Sequence, residues 1–154
     1  MSSWSEIAAQ EPEFAGRVER LFGAGRHKTI ATLRAGGAPR ISGIECEFAD
    51  GELRFASMPD SRKLADLRRD LRFALHGPTV DPVAGNEAAW PGEAKVSGLA
   101  RRDTSIEADE GRPEGEAFVA DVREIVVTHL NEDATKLVVE WWTPSGGHQV
   151  VERD

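Results

Sequence analysis

Tyrosine is absent from the 154 residues, cysteine occurs once and methionine twice. The lone Cys46 cannot close an internal disulfide, and it fits a reducing compartment, so a cytoplasmic location is expected. It also rules out a zinc site of the multi-cysteine kind. The 4 histidines are scattered, with no HxxxH or HxH pair, so no histidine-rich metal site is expected either. No apolar run approaches the ~20 residues that a membrane-spanning helix needs. Glu6, Glu11, Glu13 and Glu19 interrupt the first thirty residues, unlike the basic-then-apolar pattern of a signal peptide. Positive charge is in short supply: 19 Lys and Arg stand against 27 Asp and Glu, for a net −8. A field of that sign repels a phosphate backbone and argues against nucleic acid as a partner.

What is present suffices for a core. Hydrophobic residues make up 40% of the chain, with 6 Phe and 4 Trp, and the length fits one domain over residues 1–154. Ser3-Trp4-Ser5-Glu6 has the spacing of a capping box and opens a short helix that stops at Pro12. Phe14, Val18, Leu21 and Phe22 recur at helical spacing before Gly23 and Gly25. These first 25 residues are expected to pack as helices against a sheet. Extended segments follow at Thr29–Leu33 and Pro39–Phe48, joined by the turn at 35–38. Asp50-Gly51 is a tight-hairpin signal leading into a strand at Glu52–Ser57. A helix is expected over Ser61–Asp70, a strand at Arg72–His76, an irregular Pro- and Gly-bearing loop over 77–92, and a strand at Glu93–Arg101. The acidic stretch from Asp103 to Val122 reads as helix broken near Gly111-Arg112-Pro113. The remainder reads as three strands, Glu124–Leu130, Lys136–Thr143 and His148–Glu152. Many strands with short connections predict a mainly β, α+β fold: a small antiparallel barrel with peripheral helices.

Ser61-Arg62-Lys63 is the segment richest in chemistry. Ser61 is a good N-cap, which places Arg62 and Lys63 in the first helical turn, facing the positive end of the helix dipole. Free N–H groups, a hydroxyl and two cations together suit a phosphate; a solvated helix end fits the same pattern. Arg40 and Ser42 share one face of their strand by its period of two. The intervening hairpin brings Ser57 and the helix start back toward them. Arg40, Ser42, Ser57, Ser61, Arg62 and Lys63 can therefore converge on one anion.

These segments, in their order, resemble the pyridoxamine 5′-phosphate oxidase-like flavin-binding split barrels. The resemblance is carried by Ile30-Ala31-Thr32-Leu33, Gly37-Ala38-Pro39-Arg40-Ile41-Ser42, Asp50-Gly51-Glu52-Leu53-Arg54-Phe55 and Ser61-Arg62-Lys63-Leu64-Ala65-Asp66-Leu67. It continues more weakly through Ala94-Lys95-Val96-Ser97-Gly98 and into Trp141-Trp142, a glycine turn and Arg153. It implies an antiparallel split β-barrel of the FMN-binding type, forming a homodimer with two flavin sites at the subunit interface. It further implies an FMN-dependent oxidoreductase that transfers hydride through flavin N5 to or from a small conjugated substrate. By position, Arg40, Ser61, Arg62 and Lys63 would hold the flavin phosphate, with the Ser57 hydroxyl beside it. Ile41 and Ser42 would line the ring through their backbone, Glu93 and Lys95 would offer a polar ring contact and a neighbouring basic group, and Trp142 would reach the partner's flavin.

Relatives of this kind use FMN or the deazaflavin F420, and the shared motifs fit both. A barrel that binds flavin or haem without turnover is the other reading. The pyridoxamine phosphate oxidases grip substrate with an Arg-x-His motif in the last hairpin; here that stretch reads Gly147-His148-Gln149-Val150, which speaks against a pyridoxine phosphate substrate. Glu93 stands where a glutamine is more usual. His76 is expected to cap a strand end, His129 and His148 to sit in β structure, and Cys46, between Glu45 and Glu47, to keep an unreactive thiol. Trp141 and Trp142 must point to opposite faces of their strand.

Overall fold

Ser3 caps the first helix as its spacing predicts. Its Oγ accepts from the Glu6 amide at 3.3 Å, and the Ser3 amide donates to Glu6 Oε2 at 3.1 Å, closing the box around α1 (Trp4–Gln10). Pro12 then begins α2 (Pro12–Phe22) at a position where a missing N–H is no loss. Phe14, Ala15, Val18, Leu21 and Phe22 bury one face of α2, and Trp4 and Ile7 bury one face of α1. The structure is a computed structural model that describes residues 1–104 and 116–154.

Among the described residues, nine strands make one antiparallel sheet: β1 (Lys28–Leu33), β2 (Pro39–Ile44), β3 (Cys46–Ala49), β4 (Glu52–Ser57), β5 (Arg72–His76), β6 (Glu93–Arg102), β7 (Glu116–Leu130), β8 (Leu137–Thr143) and β9 (Gly147–Arg153). Helix α3 (Arg62–Arg69) connects β4 to β5, and a short 3-10 turn at Glu87–Ala89 lies in the loop before β6. The pairing order is β2-β1-β5-β6-β7-β4-β3, with β8 and β9 branching from β7. The two ends of that path, β2 and β3, are separated in sequence only by Glu45. A path of seven strands whose ends are chain neighbours has to curl round on itself. Since β2 and β3 do not pair, the barrel stays split.

Two expectations are corrected here. The strand expected over Pro39–Phe48 is two strands, because the chain turns a corner at Glu45 and exchanges β1 for β4 as its partner. The helix expected within 103–122 is contradicted over Glu116–Val122, which is the first half of a 15-residue strand; the rest of that expectation, 105–115, lies outside the described residues. The misreading has a physical cause. Phe118, Ala120 and Val122 are buried in one phase and Ile125 and Val127 in the other. The shift comes at a bulge where Ser97 faces Glu124 and Gly98 faces Val122, leaving Arg123 as the extra residue.

The Asp50-Gly51 hairpin is present as expected, with both residues at positive φ, 53° and 74°. The barrel core is formed by Ile30, Leu53, Phe55, Leu64, Leu67, Leu75, Val96, Phe118, Val122 and Ile125 under the two N-terminal helices. Among the described residues, no helix is long and apolar enough to cross a membrane.

Candidate functional site

Helix α3 begins where the hairpin strand β4 delivers it, and Ser61 caps it: its Oγ accepts from the Leu64 amide at 3.3 Å. The Ser57 hydroxyl, buried at the end of β4, lies 3.4 Å from that of Ser61. Arg62 is exposed and Lys63 half-buried on the first turn. Most arginines nearby are engaged: Arg68 and Arg102 pair with Glu116, Arg69 with Asp66 and Arg72 with Asp70. Arg62 and Lys63 have no acidic partner among the described residues, although they sit at the helix end that disfavours cations.

Arg40 arrives from β2. It stands directly across from Thr32 on the same inward face as Ser42, whose cross-strand partner is the fully buried Ile30. Its Nε–H donates to Asp66 Oδ2 at 2.7 Å, which ties β2 to α3. Ser57, Ser61, Arg62 and Lys63 thus stand at the start of α3, and Arg40, with Ser42 two residues along β2, meets the same helix at Asp66, further along it.

Of the other expected site residues, Ile41, Glu93 and Lys95 lie on the opposite, outward face and Trp142 does not. Ile41 pairs with Ala31, Ala31 with Ala74, and Ala74 with Ser97, so Ile41 shares that face with Glu93 and Lys95 on β6. The Ile41 side chain is 76% exposed. Glu93 Oε2 lies 3.5 Å from His76 Nε2, while His76 Nδ1–H donates to the Gly77 carbonyl at 2.6 Å, the strand-end cap expected for it. Trp142 is buried in the core beside Ile125, its partner on β7. Its neighbour Trp141, half-buried, is the one on the outward face. The indole expected at a partner's ligand is thus turned inward within this chain. Cys46 is half-buried and its thiol is pushed up to about 11 by burial, as expected of an unreactive cysteine.

One cluster was not foreseen as a unit. Glu140 on β8 is buried, and Arg17 of α2 donates to it twice, through Nη1 at 2.5 Å and Nη2 at 2.6 Å. His129 Nε2 approaches the same carboxylate at 2.7 Å and His148 Nε2 at 2.9 Å. Against the cost of burial, these donors hold the Glu140 carboxyl at about 2. A shallow cavity of roughly 830 Å³ opens beside it, lined by Arg17, His129, Asn131, Val138, Glu140 and Val150. It includes none of the expected phosphate contacts. Each of the four side chains lies on a different element (α2, β7, β8, β9), so no local spacing links them. The only signal in the sequence is a glutamate within the apolar run Leu137-Val138-Val139-Glu140-Trp141-Trp142.

No protein-family profile matches the sequence, and no curated protein sequence does. Solved structures do. The chain superposes on a pyridoxamine 5′-phosphate oxidase-related, FMN-binding protein of Nostoc punctiforme PCC 73102 with a TM-score of 0.63 at 11% identity, covering 97% of this chain and 99% of that one. It matches PhzG of Burkholderia lata 383, solved with tetrahydrophenazine-1-carboxylic acid, with a TM-score of 0.61 at 11% identity over 93% and 87% of the two chains. A haem-binding protein of Mycobacterium smegmatis matches with a TM-score of 0.51 at 16% identity, over 99% of this chain and 59% of that chain. The fold is that of the FMN-binding split barrels, as the sequence resemblance implies.

Proposed function

We propose that this protein is an FMN-dependent oxidoreductase of the pyridoxamine 5′-phosphate oxidase-like family, holding its flavin by the 5′-phosphate at the start of α3. The observation that carries this reading is the meeting on α3 of Ser57, Ser61 and two cations without an acidic partner among the described residues, Arg62 and Lys63, at its N-terminus, with Arg40 reaching the helix from β2 at Asp66. The donor set suits a phosphate dianion: hydroxyls and backbone N–H groups at the helix start, and charged donors on three side chains. When bound, FMN supplies a site that accepts and releases hydride. The protein's part is to anchor the phosphate, to offer the β2 backbone at Ile41 and Ser42 as an edge for the ring, and to shield the ring from water.

The outward face is where a second copy fits the reading. Ile41, Glu93, Lys95 and Trp141 lie there, and a partner laid over it would enclose a ring that one chain leaves open, giving a homodimer with its sites at the interface. A small conjugated substrate would then stack against the ring, and Gly147-His148-Gln149-Val150 in place of an Arg-x-His grip argues for a substrate without a pyridoxine phosphate group. F420 reduction is the alternative chemistry on the same fold. The M. smegmatis neighbour favours a second reading, a haem- or flavin-binding protein without turnover.

Titration of the purified protein with FMN, F420 and haemin separates these readings. FMN is expected to bind and its fluorescence to change, with bleaching of the bound flavin by NAD(P)H. Binding of haemin alone supports the second reading and overturns the first. In an Arg62→Ala/Lys63→Ala double variant the affinity for FMN is expected to fall about 100-fold, the loss of two charge-assisted contacts, while that for riboflavin, which lacks the phosphate, stays put. Equal FMN affinity in the variant and the parent would remove α3 from the phosphate site.

A further inference from the structure

Asp66 is the most buried carboxylate near the candidate site, with its side chain 3% exposed, and it lies one turn along α3 from Ser61. Three donors from three elements converge on it. Thr32 Oγ1, itself buried on β1, donates to Oδ2 at 2.7 Å. Arg40 Nε donates to the same oxygen at 2.7 Å, and Arg69 Nη2 donates to Oδ1 at 3.0 Å. Against the opposing cost of burial, these hydrogen bonds and the Arg40 charge hold the Asp66 carboxyl below the ordinary range.

A carboxylate beneath an anion site is unexpected on charge alone, since it repels the ligand. Its geometry gives the reason for it. Only Nε of Arg40 is taken, and no acceptor among the described residues hydrogen-bonds the two Nη groups. Thr32 and Arg40 are direct cross-strand partners, so the hydroxyl and Nε reach one oxygen from neighbouring strands while Asp66 rises from the helix below. Arg40 is thereby fixed at one end and left with its outer N–H groups for a ligand. A flexible arginine would lose side-chain entropy on clamping a phosphate; one already held does not.

We propose that Asp66, supported by Thr32, is a positioning residue that presents Arg40 to the phosphate of the bound ligand. The proposal rests on the reading of Arg40 as a phosphate contact given above. Its consequence is a preference for phosphorylated over unphosphorylated flavin that depends on Asp66, although Asp66 bears the same sign of charge as the phosphate.

The test compares FMN with riboflavin in the full-length parent, Asp66→Asn, Thr32→Val and Arg40→Ala. Thermal melts check folding, and ¹⁵N spectra follow the Arg40 Nε–H signal. The ratio of FMN to riboflavin affinity is expected to fall about ten-fold in Asp66→Asn, the value of one charge-assisted contact, with the Nε–H signal shifted and exchanging faster. Thr32→Val, which keeps the carboxylate charge, is expected to move both readouts the same way by less, so the proposal stays testable if Asp66→Asn does not fold. Asp66→Asn combined with Arg40→Ala should be no worse than Arg40→Ala alone. If Arg40→Ala loses the preference for FMN while Asp66→Asn and Thr32→Val keep it, Asp66 has no positioning role and only the proposal falls. If Arg40→Ala keeps the parent's ratio, or the parent itself shows no preference, Arg40 is no phosphate contact, and the anchor assigned to it falls together with the proposal.

Discussion

Replacing Glu140 with glutamine is expected to lower the thermal midpoint by about 8 °C. Glu140 receives both Nη groups of Arg17, Nε2 of His129 and Nε2 of His148. It joins α2 to the last three strands. Its carboxyl lies at about 2 where 4.5 is ordinary, a difference equivalent to about 3 kcal/mol. Solvent reaches its partners, with Arg17 34% exposed, so about 2 kcal/mol is the more realistic share. The amide also leaves Arg17 facing a neutral group, and together these amount to roughly 2–3 kcal/mol, or about 8 °C for a chain of this size.

The sign of the pH dependence follows. A carboxyl whose folded value is depressed contributes stability above its unfolded value and loses it as pH falls through the folded one. The Glu140 share is therefore present above 4.5 and lost between there and about 2. Denaturation in urea at pH 7, 4 and 3 should show the difference between parent and Glu140→Gln shrinking as the pH drops. A gap that is constant across that range would mean that the amide acts through packing and not through charge.

The second large effect is expected at Gly98. A Cβ built there would lie 2.0 Å from the backbone oxygen of Asp121, which no side-chain movement can relieve. Gly98 forms the bulge at which β6 meets the extra residue of β7, and the close approach of the two backbones is what lets β7 bend. Gly98→Ala is expected to lower stability by roughly 2–4 kcal/mol, read as a shift in the urea midpoint. Because β4, β6 and β8 all pair with β7, the loss should be cooperative across every probe. A variant that unfolds at the parent's midpoint would show that the bulge has room the geometry denies it.

Much of this architecture is legible without a structure, and the particular residues show why. The capping box at Ser3, the Pro12 helix start, the Asp50-Gly51 hairpin and the Ser61 cap are short-range devices. Each depends on dihedral preferences and hydrogen bonds within four residues, so it works the same way wherever it sits in the chain. The alternation that places Arg40 with Ser42, and Trp141 opposite Trp142, is equally local. That is why the grouping of Arg40, Ser57 and Ser61–Lys63 could be anticipated from spacing and one hairpin.

What escaped depends on contacts between distant segments. The corner at Glu45 is set by which strand edge is free to accept β3, and the strand running back to Glu116 is disguised by a bulge that a glycine on β6 makes possible. Which of the two tryptophans faces the core follows from the register of β8 against β7, a choice that slipping by one residue would reverse. Asp66 under Arg40 and Glu140 under Arg17 belong to the same class. A buried carboxylate is tolerable only when its donors arrive from several elements at once, and sequence neighbours carry no record of that meeting. Local chemistry wrote the elements and the cationic start of α3; long-range packing chose which charges are spent inside the fold and which stay at its surface.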